Sequence, residues 1–181
     1  MIARPLLCPL ACLAVAAALV ACGSSADGPP HAEPAPSSSA AAPDFATYQA
    51  NVDQGLARAC GTLDCHGSAT RPYRIYGFGG LRMPTEASGP LASGQQPTTV
   101  DETRANYDTL LALDAEELGR VVATQDEPTR WRFFRKALAL DSHGGGAVMA
   151  EDDPRFRCVL GWLRGMTGQG RAMCAEAAAQ P

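Results

Sequence analysis

No sustained block of lysine and arginine occurs in the 181 residues, and the formal net charge is −4. Without a basic patch the chain lacks the electrostatic footprint of a nucleic-acid partner. No Gly-x-Ser-x-Gly elbow is present, so "HGGG" at 143–146 has no nucleophile whose oxyanion it could stabilise. Paired cysteines with two intervening residues, the thioredoxin spacing, are also missing. A zinc finger would need four ligands in paired spacing, and after residue 43 there are only His66 and His143 with scattered cysteines. No internal repeat is visible, and no apolar run is long enough to span a bilayer with ordinary flanks.

What is present begins with a short apolar stretch. Arg4 supplies one early positive charge, and Leu6 to Ala21 are almost wholly apolar and small, the pattern of a secretory signal. It closes in Leu19-Val20-Ala21-Cys22-Gly23, which resembles the lipobox of bacterial lipoproteins. The resemblance implies a signal peptide over 1–21, cleavage before Cys22 and lipidation of its sulfur. Several acyl chains on one residue give stable membrane anchorage where one chain does not. Gly23, rather than an aspartate, after Cys22 favours the outer over the inner membrane by the sorting habit of that family. Residues 22–43 hold no aliphatic side chain larger than alanine, and such a segment cannot bury enough surface to fold. It is expected to be a flexible, lipid-anchored linker, with His31 a solvated residue of it. Removing 1–21 takes away Arg4 alone among the charged residues, moving the net charge from −4 to −5.

Residues 44–181 suit one domain with a modest core. Asp44 is a good N-cap, and Phe45, Tyr48, Val52, Leu56 and Ala59 form a helical stripe that Gly61 can stop. "HGSATRPYRIYGFGGLRMP" reads as an irregular loop wrapping something rather than a strand pair. Thr99-Val-Asp-Glu102 has the form of a capping box opening a helix through Tyr107, Leu110 and Leu111. A short helix from Asp114 would bury Leu118, Val121 and Val122, and another from Pro128-Thr129 would bury Trp131, Phe134 and Leu138. Asp153-Pro154 opens a helix with Phe156, Val159, Leu160 and Leu163 inward, ending near Gly165 or Gly168, and a short tail then carries Cys174. The expected class is all-α with long loops.

Of the seven cysteines, Cys8 and Cys12 leave with the signal and Cys22 carries lipid. Four remain in an oxidising compartment, Cys60, Cys65, Cys158 and Cys174, which would pair unless something else consumes them. Two disulfides are one account. In the other, Cys60 and Cys65 form thioethers to a haem, His66 ligates its iron, and Cys158 and Cys174 bridge each other.

A helix leading into Cys60-Gly-Thr-Leu-Asp-Cys65-His66-Gly67, then long loops and a closing helix in "RCVLGWLRGM", resembles the cytochrome c family over roughly 44–165. The end segment "HGGGAVMAEDDPRFRCVLGWLRG" is similar to short cytochrome-c-like domains of bacterial cell-surface proteins. In its whole layout the chain also resembles bacterial lipoproteins carrying an "LDCHG…RIYG…GLR" pattern. The departure is the Cys-x4-Cys spacing, two residues longer than the common motif, with Gly61 available to let the insert bulge. The resemblance implies a small cytochrome c-like helical domain with covalent haem c and its iron, His66 as proximal ligand, and electron transfer without substrate turnover. For the distal side His143 ranks first, because it lies in the loop before the final helix, followed by Met149 and then Met83. Arg71, Arg74 and Arg82 are candidate propionate partners, with exposed loop arginines the simpler reading. The expected partners are a membrane, through the lipid, and a redox protein, with no nucleic acid. The competing class is a non-catalytic, disulfide-stapled surface lipoprotein binding a protein or cell-wall partner, and an open sixth iron position would instead make a haem enzyme.

Overall fold

The computed structural model describes residues 42–84 and 94–180. The signal peptide, Cys22 and His31 lie outside the described residues. Among those described, the chain is helical without a strand, carrying only an isolated bridge between Tyr76 and Leu81. The helical segments are α1 (Phe45–Thr47), a π turn (Tyr48–Val52), α2 (Asp53–Cys60), α3 (Val100–Ala112) and α4 (Ala115–Thr124). A 3-10 turn (Pro128–Arg130), α5 (Arg132–Ala137), α6 (Pro154–Leu163) and α7 (Gly168–Ala179) complete them. No helix among the described residues is long and apolar enough to cross a membrane.

Three helices start at the caps their sequence marks. Asp44 caps α1 by accepting from the Thr47 N–H at 2.6 Å. The Thr99–Glu102 capping box of α3 is complete in both directions. Asp153 caps α6, with Pro154 in the first turn, where a missing N–H costs nothing. The stripe Tyr48, Val52 and Leu56 is buried, and Tyr48 packs between Tyr107 of α3 and Trp162 of α6, with ring centroids 5.5 and 5.2 Å away. The same two partners anchor the chain's entry into α1. Trp162 Nε1–H donates to the Asp44 carbonyl at 2.9 Å, and Tyr107 O–H donates to the Pro43 carbonyl at 2.6 Å. Trp162 is thus a packing residue with its polar edge satisfied. A second aromatic group joins Trp131, Phe133 and Phe134 to Phe156 of α6.

Two expectations need correction. The segment after α6 is no short tail but a 12-residue helix, α7, capped by the Thr167 hydroxyl, which accepts from Gly170 N–H. Its glycines and alanines lack an apolar stripe, yet small residues let it lie close against α6, where a Cβ on Gly161 would stand 3.2 Å from Gly170 Cα. A disulfide between Cys158 and Cys174 joins these two helices. A loop of this length is closed by a bridge worth about 3 kcal/mol on the chain-entropy account. The second correction concerns Gly61: residues 62–64 of the insert do lie exposed, but not through any special conformation of the glycine. It caps α2 with φ −86°, an ordinary conformation, and is glycine because a Cβ there would meet the Ala57 carbonyl at 2.5 Å.

The loop over 61–84 has no ladder to satisfy its backbone, so side chains of α3 do it. Asn106 accepts from Tyr76 N–H at 2.7 Å through Oδ1 and donates to Tyr76 O at 2.9 Å through Nδ2. The same Nδ2 donates to Asp53 of α2 at 2.9 Å, and Thr103 Oγ1–H donates to that carboxylate at 3.0 Å. Glu102 accepts from Met83 N–H at 3.0 Å and holds Arg82 bidentately, both contacts at 2.8 Å. Arg82 also donates to the carbonyls of Gln96 and Pro97, so it is a buried clamp across the loop, neither a free cation nor a surface residue. Under this frame the backbone folds on itself: a Cβ on Gly67 or on Gly80 would lie 1.8 Å from the Gly61 carbonyl oxygen.

Two outcomes follow from these contacts. Gly67→Ala and Gly80→Ala should each destabilise the fold by about 3 kcal/mol, since backbone cannot yield as a side chain can; urea unfolding that finds either variant within error of wild type contradicts the contact. Burial pushes the Glu102 carboxyl up, but the Arg82 guanidinium and the Thr99 and Met83 N–H groups outweigh it, leaving the folded value lowered. Its contribution is therefore present above the unfolded carboxylate pKa of about 4.3 and lost as pH falls through the folded value. Glu102→Gln should lower stability at pH 7 and flatten the acid limb of a stability–pH curve; an unchanged limb contradicts the assignment.

Candidate functional site

The end of α2 carries the motif into a tight turn. Gly61 N–H closes the helix on Ala57 O, Cys65 and Gly67 N–H groups both donate to Thr62 O at 2.9 Å, and His66 N–H returns to Cys60 O at 2.9 Å. The four-residue insert is thus a compact hydrogen-bonded turn that leaves Leu63 exposed at its tip. Cys60 is buried and Cys65 half-buried, and the two are not bridged to each other, in contrast to Cys158 and Cys174. Burial pushes the Cys60 thiol up to about 11, Arg155 opposing in part. A thiol held protonated at neutral pH is a poor redox dithiol member, because the thiolate is the reactive form.

His66 Nδ1 lies 3.0 Å from the Tyr73 carbonyl, which can only accept, so Nδ1 carries the proton and Nε2 keeps its lone pair. His66 O in turn accepts from Ile75 N–H at 2.9 Å, and the Tyr73 ring packs 4.7 Å from the imidazole. Burial lowers the pKa of His66, the Tyr73 bond opposing it and His143 and Arg71 adding to it, so its surroundings favour the neutral ring. That is the form a metal requires.

Of the three distal candidates, the structure brings His143 to His66. The ring centroids are 6.0 Å apart and the planes 11° from parallel. His143 Nδ1 lies 2.8 Å from the Gly146 carbonyl, so this imidazole also donates through Nδ1 and leaves Nε2 with its lone pair. Met149 is buried in the core, with its N–H donating to Ala137 O, and Met83 is half-buried beside Glu102. Arg71 and Arg74 are exposed and hydrogen-bonded to loop carbonyls. The carbonyls of Tyr73 and Gly146, and the Arg155–Asp153 ion pair whose field reaches Cys60, are parts of this site that no residue-type pattern marks. Backbone acceptors carry no signature in a sequence.

The donor set can be tested against a haem. An offset aromatic pair can also sit at 6.0 Å, but here both Nδ1 atoms are committed to carbonyls, the arrangement that orients metal-binding histidines. Two imidazoles placed in trans on one metal, at bond lengths of about 2 Å, set their ring centroids roughly 6 Å apart. Among the described residues no three His, Cys, Asp or Glu side chains gather into a set able to hold a bare ion. Two Nδ1-anchored imidazoles facing each other and two unbridged cysteines beside one of them are groups a haem could use as ligands and attachment points. The residues fit the group. Compared with protein-family models, curated proteins and solved structures, the chain matches none.

In protein made without haem, iodoacetamide at pH 8 should label Cys65 at least about tenfold faster than Cys60, given the burial and raised pKa of the latter. Peptide mass mapping that finds equal labelling of the native protein contradicts the placement of Cys60.

Proposed function

We propose that this chain is a c-type haem protein, tethered to the membrane outside the cytoplasm through Cys22, that carries electrons to or from a redox protein and turns over no substrate. The observation that carries this reading is the His66–His143 pair, two Nδ1-anchored imidazoles 6.0 Å apart with no third protein donor gathered beside them among the described residues. Cys60 and Cys65 would hold the haem covalently, with His66 proximal and His143 distal. When bound, the haem supplies a one-electron couple at its iron. Every other task belongs to the chain. Tyr73 and Gly146 carbonyls fix the tautomers and orient both rings. The buried Tyr73 packs its ring 4.7 Å from the His66 imidazole. A histidine pair sets a lower potential than histidine with methionine. The Cys158–Cys174 bridge, remote in sequence from the motif, staples α6 to α7. Gly23 after Cys22, rather than an aspartate, favours the outer membrane. The competing reading, a non-catalytic, disulfide-stapled surface lipoprotein binding a protein or cell-wall partner, draws on the same bridge, while the unjoined Cys60 and Cys65 favour the haem reading over it.

The test is the intact mass and visible spectrum of the mature chain made alongside a cytochrome c maturation system. A mass raised by one haem and a sharp reduced α-band are expected, both lost in Cys60→Ala with Cys65→Ala. A colourless protein lighter than its reduced chain by four hydrogens would mean two disulfides and overturn the proposal.

A further inference from the structure

The two histidines are held in opposite ways. His66 belongs to the core backbone: its N–H donates to Cys60 O, its carbonyl accepts from Ile75 N–H, and the next residue, Gly67, is pressed against Gly61. His143 belongs to a loop with both feet on one short helix, α5. On the near side Leu140 and Asp141 N–H groups donate to Arg135 O at 2.8 and 3.1 Å, Arg135 pairs with Asp141, and Lys136 Nζ donates to Ser142 O at 2.6 Å. On the far side Val148 and Met149 N–H groups both donate to Ala137 O, at 2.9 and 3.1 Å.

Between these feet, over 143–147, the hydrogen bonds among the described residues are internal. Gly146 N–H donates to His143 O at 3.0 Å, and His143 Nδ1–H donates to Gly146 O at 2.8 Å. The sites where a Cβ would stand on Gly144 and Gly146 have no neighbour within 4 Å, and residues 144–147 are exposed. Lifting the tip therefore breaks neither foot and carries its own turn along. Withdrawing His66 would dismantle the turn that holds both cysteines.

We propose that His143 is a releasable ligand, and that the site binds a small neutral diatomic molecule in the position His143 vacates when the 143–147 tip lifts. The inference rests on the haem reading. The exchange balances without proton or electron transfer: the bond to His143 Nε2 breaks, and a lone pair of the incoming molecule replaces it. A strong-field ligand such as carbon monoxide gains access only as often as the tip opens, so its apparent affinity is reduced by the open fraction.

The experiment mixes the mature, haem-loaded, dithionite-reduced chain with carbon monoxide in a stopped-flow spectrometer, after its spectrum has been recorded. The wild type is expected to start low-spin and to react at a rate that rises with carbon monoxide and then saturates at the opening rate of the tip. His143→Ala should react without saturation and at least about tenfold faster at the highest concentration; His143→Gln replaces it if the alanine variant does not fold. Gly144→Ala, for which there is space, should stiffen the tip and lower the limiting rate about threefold. A low-spin wild type that takes no carbon monoxide overturns the releasable ligand alone, as does a His143 variant with the wild-type limiting rate. A colourless protein overturns the haem reading and this inference with it, and the starting spectrum separates the two failures.

Discussion

One face of α3 substitutes for the sheet that the loop over 61–84 lacks, and the rest of the arrangement depends on it. A loop that passes through the interior must place every N–H and C=O, because an unpaired buried polar group costs about 1–3 kcal/mol. Glu102, Thr103 and Asn106 recur at helical spacing, so they look out from a single face. Asn106 answers both backbone groups of Tyr76, Glu102 takes Met83 N–H and the Arg82 fork, and Thr103 reaches Asp53 on α2. The carboxyl of Asp53 is pushed up by burial, with hydrogen bonds from Asn106, Thr103 and Tyr48 pulling against that. A network so completely paired sets the loop's register as well as its stability.

That register is what places the candidate site. With Tyr76 and Met83 tied to α3, Gly80 is brought against the Gly61 carbonyl from one side and Gly67 from the other. Tyr73 then stands where its carbonyl receives His66 Nδ1–H, and Ile75 N–H reaches the His66 carbonyl. His66 is oriented at the end of a chain of contacts that starts at Asn106 on α3, which is 30 residues from Tyr76 and farther still from His66. The opposite side is built differently, from a loop hung on α5, so the two halves of the proposed ligand pair differ in stiffness by construction. Trp131, fully buried in the aromatic group at the start of α5, has an indole N–H without a partner among the described residues.

Legibility followed the range of the interaction. The caps of Asp44, Thr99 and Asp153, the stripe through Tyr48, Val52 and Leu56, and the order of helices to α6 could be read because each rests on residues within a turn of one another. Helix α7 could not, since "GQGRAMCAEAAA" has no apolar periodicity and gains its place only from close approach to α6 and the bridge to Cys158. Arg82 could be read as an exposed cation or a ligand partner, but its buried role was decided by Glu102, twenty residues away.

The sequence by itself determined the inventory: four cysteines in the domain, an imidazole directly after the second, a second imidazole in a glycine-rich loop, and helices with marked beginnings. These depend on residue identity and local spacing, which the chain states outright. Only the tertiary structure decided how the inventory is used. It bridged Cys158 to Cys174, left Cys60 and Cys65 unjoined, and set His143 rather than Met149 or Met83 beside His66. Those choices turn on backbone carbonyls and long-range packing, and neither carries a mark in a string of side chains until the fold closes.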